Sequence, residues 1–120
     1  ASRVSMSDLA NMMHRAGRAG ALKPLLREHP FRDRRGRVMP AQPFEVRAKT
    51  GTLYFVSALA GYIRSPGGRD MAFAICASDL PRRAQAIGTG QDRPEGTRAW
   101  ARTARAMQQA LLYRWAQTYA

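Results

Sequence analysis

Cysteine is all but absent from this chain. Cys76 stands alone among 120 residues, so no disulfide can form within it. It lies in the apolar run AFAICA, where a buried, inert thiol is expected rather than a nucleophile. Lysine is nearly as scarce: of 20 basic residues only Lys23 and Lys49 are lysines, which leaves 18 arginines against eight acids and a net charge of +12. No apolar run approaches ~18 residues, so no transmembrane helix is expected. His14 and His29 have no further ligand type at metal-binding spacing, which reads them as ordinary polar positions and calls for no metal or other cofactor. Neither a secretory signal nor an initiating Met opens the chain, so Ala1 reads as an interior or processed position.

What is present describes one folded domain. An apolar fraction of 45% with 8% aromatic residues is that of a packed chain rather than a disordered one. Ser5 with Asp8 three residues on approximates a capping box, and Val4 can staple against Leu9, so a helix is expected over 5–17. Its stripe would be Leu9, Met12, Met13 and Ala16. A short helical turn follows around Lys23 to Glu28. Residues 29–43, with three prolines and the cluster Arg32, Arg34, Arg35 and Arg37, read as an exposed loop. Phe44, Val46 and Ala48 then alternate with Glu45, Arg47 and Lys49, the period of a half-buried strand.

Three strands are expected, at about 44–52, 56–64 and 69–78, the last two joined by the turn Ser65-Pro66-Gly67-Gly68. Met71, Phe73, Ile75 and Ala77 share one face of the third. Pro81 to Gly96 reads as a polar connection. A helix over about 97–118 would lay Trp100, Ala104, Met107, Leu111 and Trp115 on the sheet and turn Arg98, Arg102, Arg105 and Gln109 away. The fold class is α+β: an antiparallel sheet packed against the first and last helices.

At the end of the first strand stand Lys49, Thr50, Gly51 and Thr52. Lys-Thr-Gly is a signature of penicillin-binding proteins and serine β-lactamases, although any tripeptide occurs by chance in roughly one or two chains in a hundred of this length. Its setting, RAKTGTLYFVSALAGYI, resembles the corresponding strand pair of the D-alanyl-D-alanine carboxypeptidase/endopeptidase family, the low-molecular-mass class C penicillin-binding proteins. The resemblance runs from about Arg3 to Asp79, with a family-like tail to the end, and makes residues 1–120 the C-terminal part of a transpeptidase-like fold. It implies a periplasmic serine-type peptidase acting on peptidoglycan stem peptides and acylated by β-lactams.

Carried over from that resemblance, Lys49 places a positive charge beside the catalytic serine. Thr50 and Thr52 bond the terminal carboxylate, and the Thr52 N–H is one oxyanion donor. Gly51 lets the substrate backbone approach as an added strand. Tyr54 and Phe55 stand where smaller or polar residues are expected, either lining the cleft mouth or packing.

The other half of the chemistry is missing. No serine here has lysine at the third place after it, and no Ser-x-Asn occurs. In the family both precede the opening helix. The chain is therefore expected to be inert alone and to act only with an N-terminal portion that carries those motifs. The competing reading is a basic module gripping nucleic acid or another polyanion through the Arg32–Arg37 loop and the last helix, but it lacks a nucleic-acid-binding motif. A third is a non-catalytic peptidoglycan-binding relic.

Overall fold

Apolar alternation builds a sheet that a helix can cover on each face. A computed structural model describes residues 3–90 and 95–120. Among them, four antiparallel strands stand in sequence order: β1 (Arg27–Glu28), β2 (Glu45–Leu53), β3 (Val56–Arg64) and β4 (Asp70–Ser78). β2, β3 and β4 pair residue for residue along their whole length. The sequence leads one to expect three strands. The fourth, β1, occupies two positions where a helical turn is expected, and the helical part of that stretch is a single 3-10 turn, Lys23–Leu25.

Side chains of alternate residues leave a strand on opposite faces. One face gathers Val46, Ala48, Leu59, Ile63, Phe73 and Ile75, which pack with Leu112 and Ala116 of α3 (Thr97–Thr118). Phe31 from the 29–43 segment and Phe44 just ahead of β2 close this core, edge to face with centroids 4.6 Å apart. Burying one such large side chain is worth about 1.5–3 kcal/mol. The opposite face meets α1 (Met6–Ala19): Tyr62, of the other parity, donates its hydroxyl hydrogen to the Met13 carbonyl. Ser5 caps α1 by accepting the Asp8 N–H at 3.0 Å, as the sequence leads one to expect, and Gly20 ends it in a left-handed conformation.

Four expectations are corrected. The buried line of α3 is Ala104, Gln108, Leu112 and Ala116, one residue round from the expected stripe, and Met107 is exposed. Alanines let the helix axis approach the sheet, while Trp100 and Trp115 straddle it half-buried. Gln108 is tolerated at the centre because its amide donates to both the Ser57 carbonyl (3.0 Å) and hydroxyl (3.2 Å). On α1, Met13 is buried but Met12 is exposed, since the helix presents Met6, Ala10, Met13 and Gly17 to the sheet. Cys76 is exposed on edge strand β4, not buried.

The fourth is a helix, α2 (Leu80–Thr89), inside the stretch expected to be a polar connection. Asp79 caps it, accepting the Arg82 N–H at 3.2 Å, and Pro81 sits in its first turn. Positions 91–94 of that stretch lie outside the described residues.

Ion pairs cross the sheet from β1 to β4. Arg47 reaches Glu45 (2.7 Å) and Glu28 (2.9 Å), bracing β1 on β2, and Asp70 takes Lys23 (3.0 Å) and Arg64 (3.2 Å). The hydrogen bond from Arg47 holds the Glu45 carboxyl below the usual carboxylate range, and that from Arg64, with Lys23 beside it, does the same for Asp70. With both values lowered in the folded chain, the unfolded chain takes up protons first. Stability should therefore be complete above about pH 4.5 and fall as pH drops through the carboxylate range. Asp70→Asn should flatten that slope in denaturation midpoints taken from pH 6 to pH 3. In the sheet interior, a Cβ on Gly61 would lie 2.1 Å from the Arg47 carbonyl oxygen and 2.6 Å from the Ala48 Cα. Gly61→Ala should lower unfolding free energy by about 1–3 kcal/mol or more, read as a shift in the urea midpoint; an unshifted midpoint contradicts this packing.

Candidate active-site edge

Backbone pairing decides what Lys49, Thr50, Gly51 and Thr52 can do. β1 pairs only with Arg47 and Ala48, because upstream of Arg27 the chain is already in the Lys23–Leu25 turn, where Pro24 has no N–H to offer. From Lys49 to Leu53, β2 has, among the described residues, a strand partner on its β3 side alone. Backbone groups alternate sides along a strand, and Val46 accepts the His29 N–H on the β1 side. Thr50 and Thr52 therefore turn their N–H and C=O groups outward to the open edge, whereas Lys49 and Gly51 bond Ala60 and Ala58 of β3.

Side chains divide the same four residues differently. Lys49 and Gly51 face the α1 side of the sheet, and Thr50 and Thr52 face the α3 side. All four are exposed. They meet at the edge itself, not on one surface. The Lys49 ammonium donates to the Thr50 carbonyl at 2.7 Å, which holds the charge at the rim of the edge. Lys23, the other lysine, is engaged by Asp70. A Cβ on Gly51 would meet only the Ala58 Cβ at 3.9 Å. The fold therefore does not require glycine there.

One residue at this edge is missed by sequence reading. His29 Nε2 donates to the Ala48 carbonyl at 3.1 Å; since a carbonyl only accepts, that nitrogen carries the proton. His29 thus occupies the last carbonyl before the open stretch. A lone histidine beside a proline carries no signal for that role in one dimension.

The far end of the edge is clamped by α2 and α3. Tyr54 and Phe55 form the two-residue link between Leu53 and Val56. Phe55 has φ 57, a left-handed conformation that a bulky residue adopts at a penalty, and it is 3% exposed. Packing holds it there: the Arg82 guanidinium sits 4.5 Å from its ring centroid, and Trp100 meets it edge-on at 6.0 Å. Its carbonyl accepts the Asp79 N–H at 2.8 Å, and Arg83 donates to the Tyr54 carbonyl at 3.2 Å. Both aromatics line an open groove of about 510 Å3 with Thr52, Leu53, Arg83 and Trp100, Phe55 buried at its floor and Tyr54 exposed. The strand end carrying Thr52 is thereby held rigid on one side and left open on the other.

The D-Ala-D-Ala carboxypeptidase 3 (S13) family model matches residues 4–96, more than three quarters of the chain. The chain belongs to that family. Its members are D-Ala-D-Ala carboxypeptidases, hydrolases of peptidoglycan peptides and targets of β-lactams. The S13 match ends ahead of α3, so the helix that completes the core lies beyond it. No curated protein and no solved structure matches the chain. Among the described residues no helix is long and apolar enough to cross a membrane, and no group of three His, Cys, Asp or Glu is placed to hold a metal ion.

Because Gly51 has room for a methyl group, Gly51→Ala should leave stability unchanged or raise it by up to about 1 kcal/mol. Thermal unfolding checks this. A marked drop in midpoint would mean that Gly51 serves the fold rather than the edge.

Proposed function

We infer that this chain supplies the substrate-holding edge of a serine-type D-Ala-D-Ala carboxypeptidase/endopeptidase. The observation that carries the reading is the open stretch of β2 from Lys49 to Leu53, where strand pairing by β1 has ended. A stem peptide added there as a strand would bond the outward groups of Thr50 and Thr52. With its carboxylate at the Thr50 and Thr52 hydroxyls and its scissile carbonyl on the Thr52 N–H, its C-terminal end points toward Lys49. Such a peptide runs antiparallel to β2.

The reaction needs a serine, which the sequence does not offer at Ser-x-x-Lys spacing. The N-terminal portion of the enzyme would supply that serine and Ser-x-Asn. Its oxygen would attack the carbonyl between the two D-alanines, forming an acyl ester and releasing D-alanine; water then cleaves the ester. Lys49 would contribute positive charge where the oxyanion and the carboxylate gather, and the Thr52 N–H would hold the oxyanion. A β-lactam would enter as the same acyl donor, without a departing group. The site of action would be the periplasm, where the cell wall is reached.

Lys49 is exposed and, among the described residues, its ammonium bonds only the Thr50 carbonyl. In the enzyme complete with its serine motif, Lys49→Ala should therefore cut acylation by a fluorescent penicillin by about 100-fold or more while leaving the thermal midpoint in place. The 120-residue chain alone should show no acylation. Unchanged kinetics in the variant, or a labelled band from the isolated chain, would overturn the assignment.

A further inference from the structure

The densest charge on the chain lies away from this edge, at the tip of the segment before β2. Arg32 and Val38 form an isolated antiparallel bridge, and Asp33 to Arg37 close it as a tight turn. Asp33 organises the turn. Its N–H donates to the Arg37 carbonyl (2.8 Å), its carbonyl accepts the Gly36 N–H (3.0 Å), and its carboxylate accepts the N–H groups of Arg35 (2.8 Å) and Arg37 (3.0 Å). At the base Phe31 is 5% exposed, and the Gln42 side chain bonds both its N–H and its carbonyl. The arginines therefore ride on an anchored, internally bonded support rather than on free coil.

The four guanidiniums are not equivalent. Arg32 is drawn back over the turn, donating to the Gly36 carbonyl at 2.9 Å, and Arg37 faces the Asp33 carboxylate at 3.7 Å. The side chains of Arg34 and Arg35, at the apex, are exposed and make no hydrogen bond or ion pair among the described residues. Four arginines and one aspartate leave this turn at +3.

Shape selects the partner. A convex apex cannot enclose a small anion. With Phe31 buried, it also presents no aromatic face on which bases could stack, which disfavours single-stranded nucleic acid. It fits a flat surface dense in phosphate, whose oxygens accept a planar guanidinium in pairs. Val38 at the neck, 49% exposed, adds an apolar contact beside the charges. We propose that the Arg34–Arg35 apex docks this chain on an anionic phospholipid surface. The docking is peripheral, through headgroups, and does not rest on the peptidase reading.

The test is co-sedimentation of the 120-residue chain with phosphatidylcholine vesicles, with and without phosphatidylglycerol. Binding is expected only with phosphatidylglycerol and should be released by salt. Each arginine at such a surface is worth about a fivefold change in partition, so Arg34→Gln with Arg35→Gln should weaken binding roughly thirtyfold. Arg102→Gln with Arg105→Gln, exposed on α3, removes the same charge elsewhere and should weaken it by less than about threefold. Equal losses in the two pairs would reduce the effect to bulk charge and overturn the proposal. So would equal binding to pure phosphatidylcholine, or tighter binding to duplex DNA than to phosphatidylglycerol vesicles at one salt concentration.

Discussion

A strand in the middle of a sheet satisfies its backbone on both sides, and β2 does so for only part of its length. Its first half is covered by β1, and its second half is not. Buried backbone groups must find partners, whereas groups on an exposed edge can wait for one. That single asymmetry makes the Lys49–Thr52 stretch a place where another chain can pair. The Lys23–Leu25 turn enforces it by lifting the chain off the edge before Lys49. An exposed edge also invites unwanted pairing, and a lysine on it is a common guard. Here the same residue carries the charge that the proposed chemistry needs.

Rigidity at the far end has a different origin. The link between β2 and β3 contains no glycine, and Phe55 takes up a left-handed conformation that its side chain disfavours. The penalty is of order 1–3 kcal/mol, and burial between Arg82 and Trp100 opposes it. The helix that provides Arg82 also provides, at its cap, the N–H that holds the Phe55 carbonyl. Removing α2 would leave the hairpin tip without these partners. The two helices covering the sheet and this third, smaller one thus have separate tasks: α1 and α3 make the core, and α2 fixes the end of the edge.

The basic turn at Asp33 to Arg37 stands apart from both. It shares the core through Phe31 but keeps its charges in solvent, so its properties and those of the edge can vary independently. An exposed turn whose backbone is bonded internally loses little freedom on meeting a partner.

The strands and the faces of their residues were legible because a period of two survives any tertiary arrangement: Val46, Ala48, Phe73 and Ile75 alternate with polar or small neighbours. The first helix announced itself through Ser5 and Asp8, and the Lys-Thr-Gly-Thr run was plain as a string. Local chemistry alone accounts for these. α2 was not legible: Pro81 to Gly96, with Gly88 and Gly90 in it, reads as a polar connection, and the Asp79 cap shows only in the fold. What remained hidden depended on distant partners. β1 exists because β2 had an edge to offer, and nothing in an Arg-Glu pair marks a strand. The rotation of α3 onto its alanines follows from how closely a helix can approach a sheet, which no single helix reveals. Cys76 is exposed because the sheet ends beside it, and His29 caps an edge twenty residues away in the chain. Sequence therefore determined which residues alternate and where elements begin; tertiary structure decided which backbone groups stay unpaired, because pairing is a property of two segments and not of one.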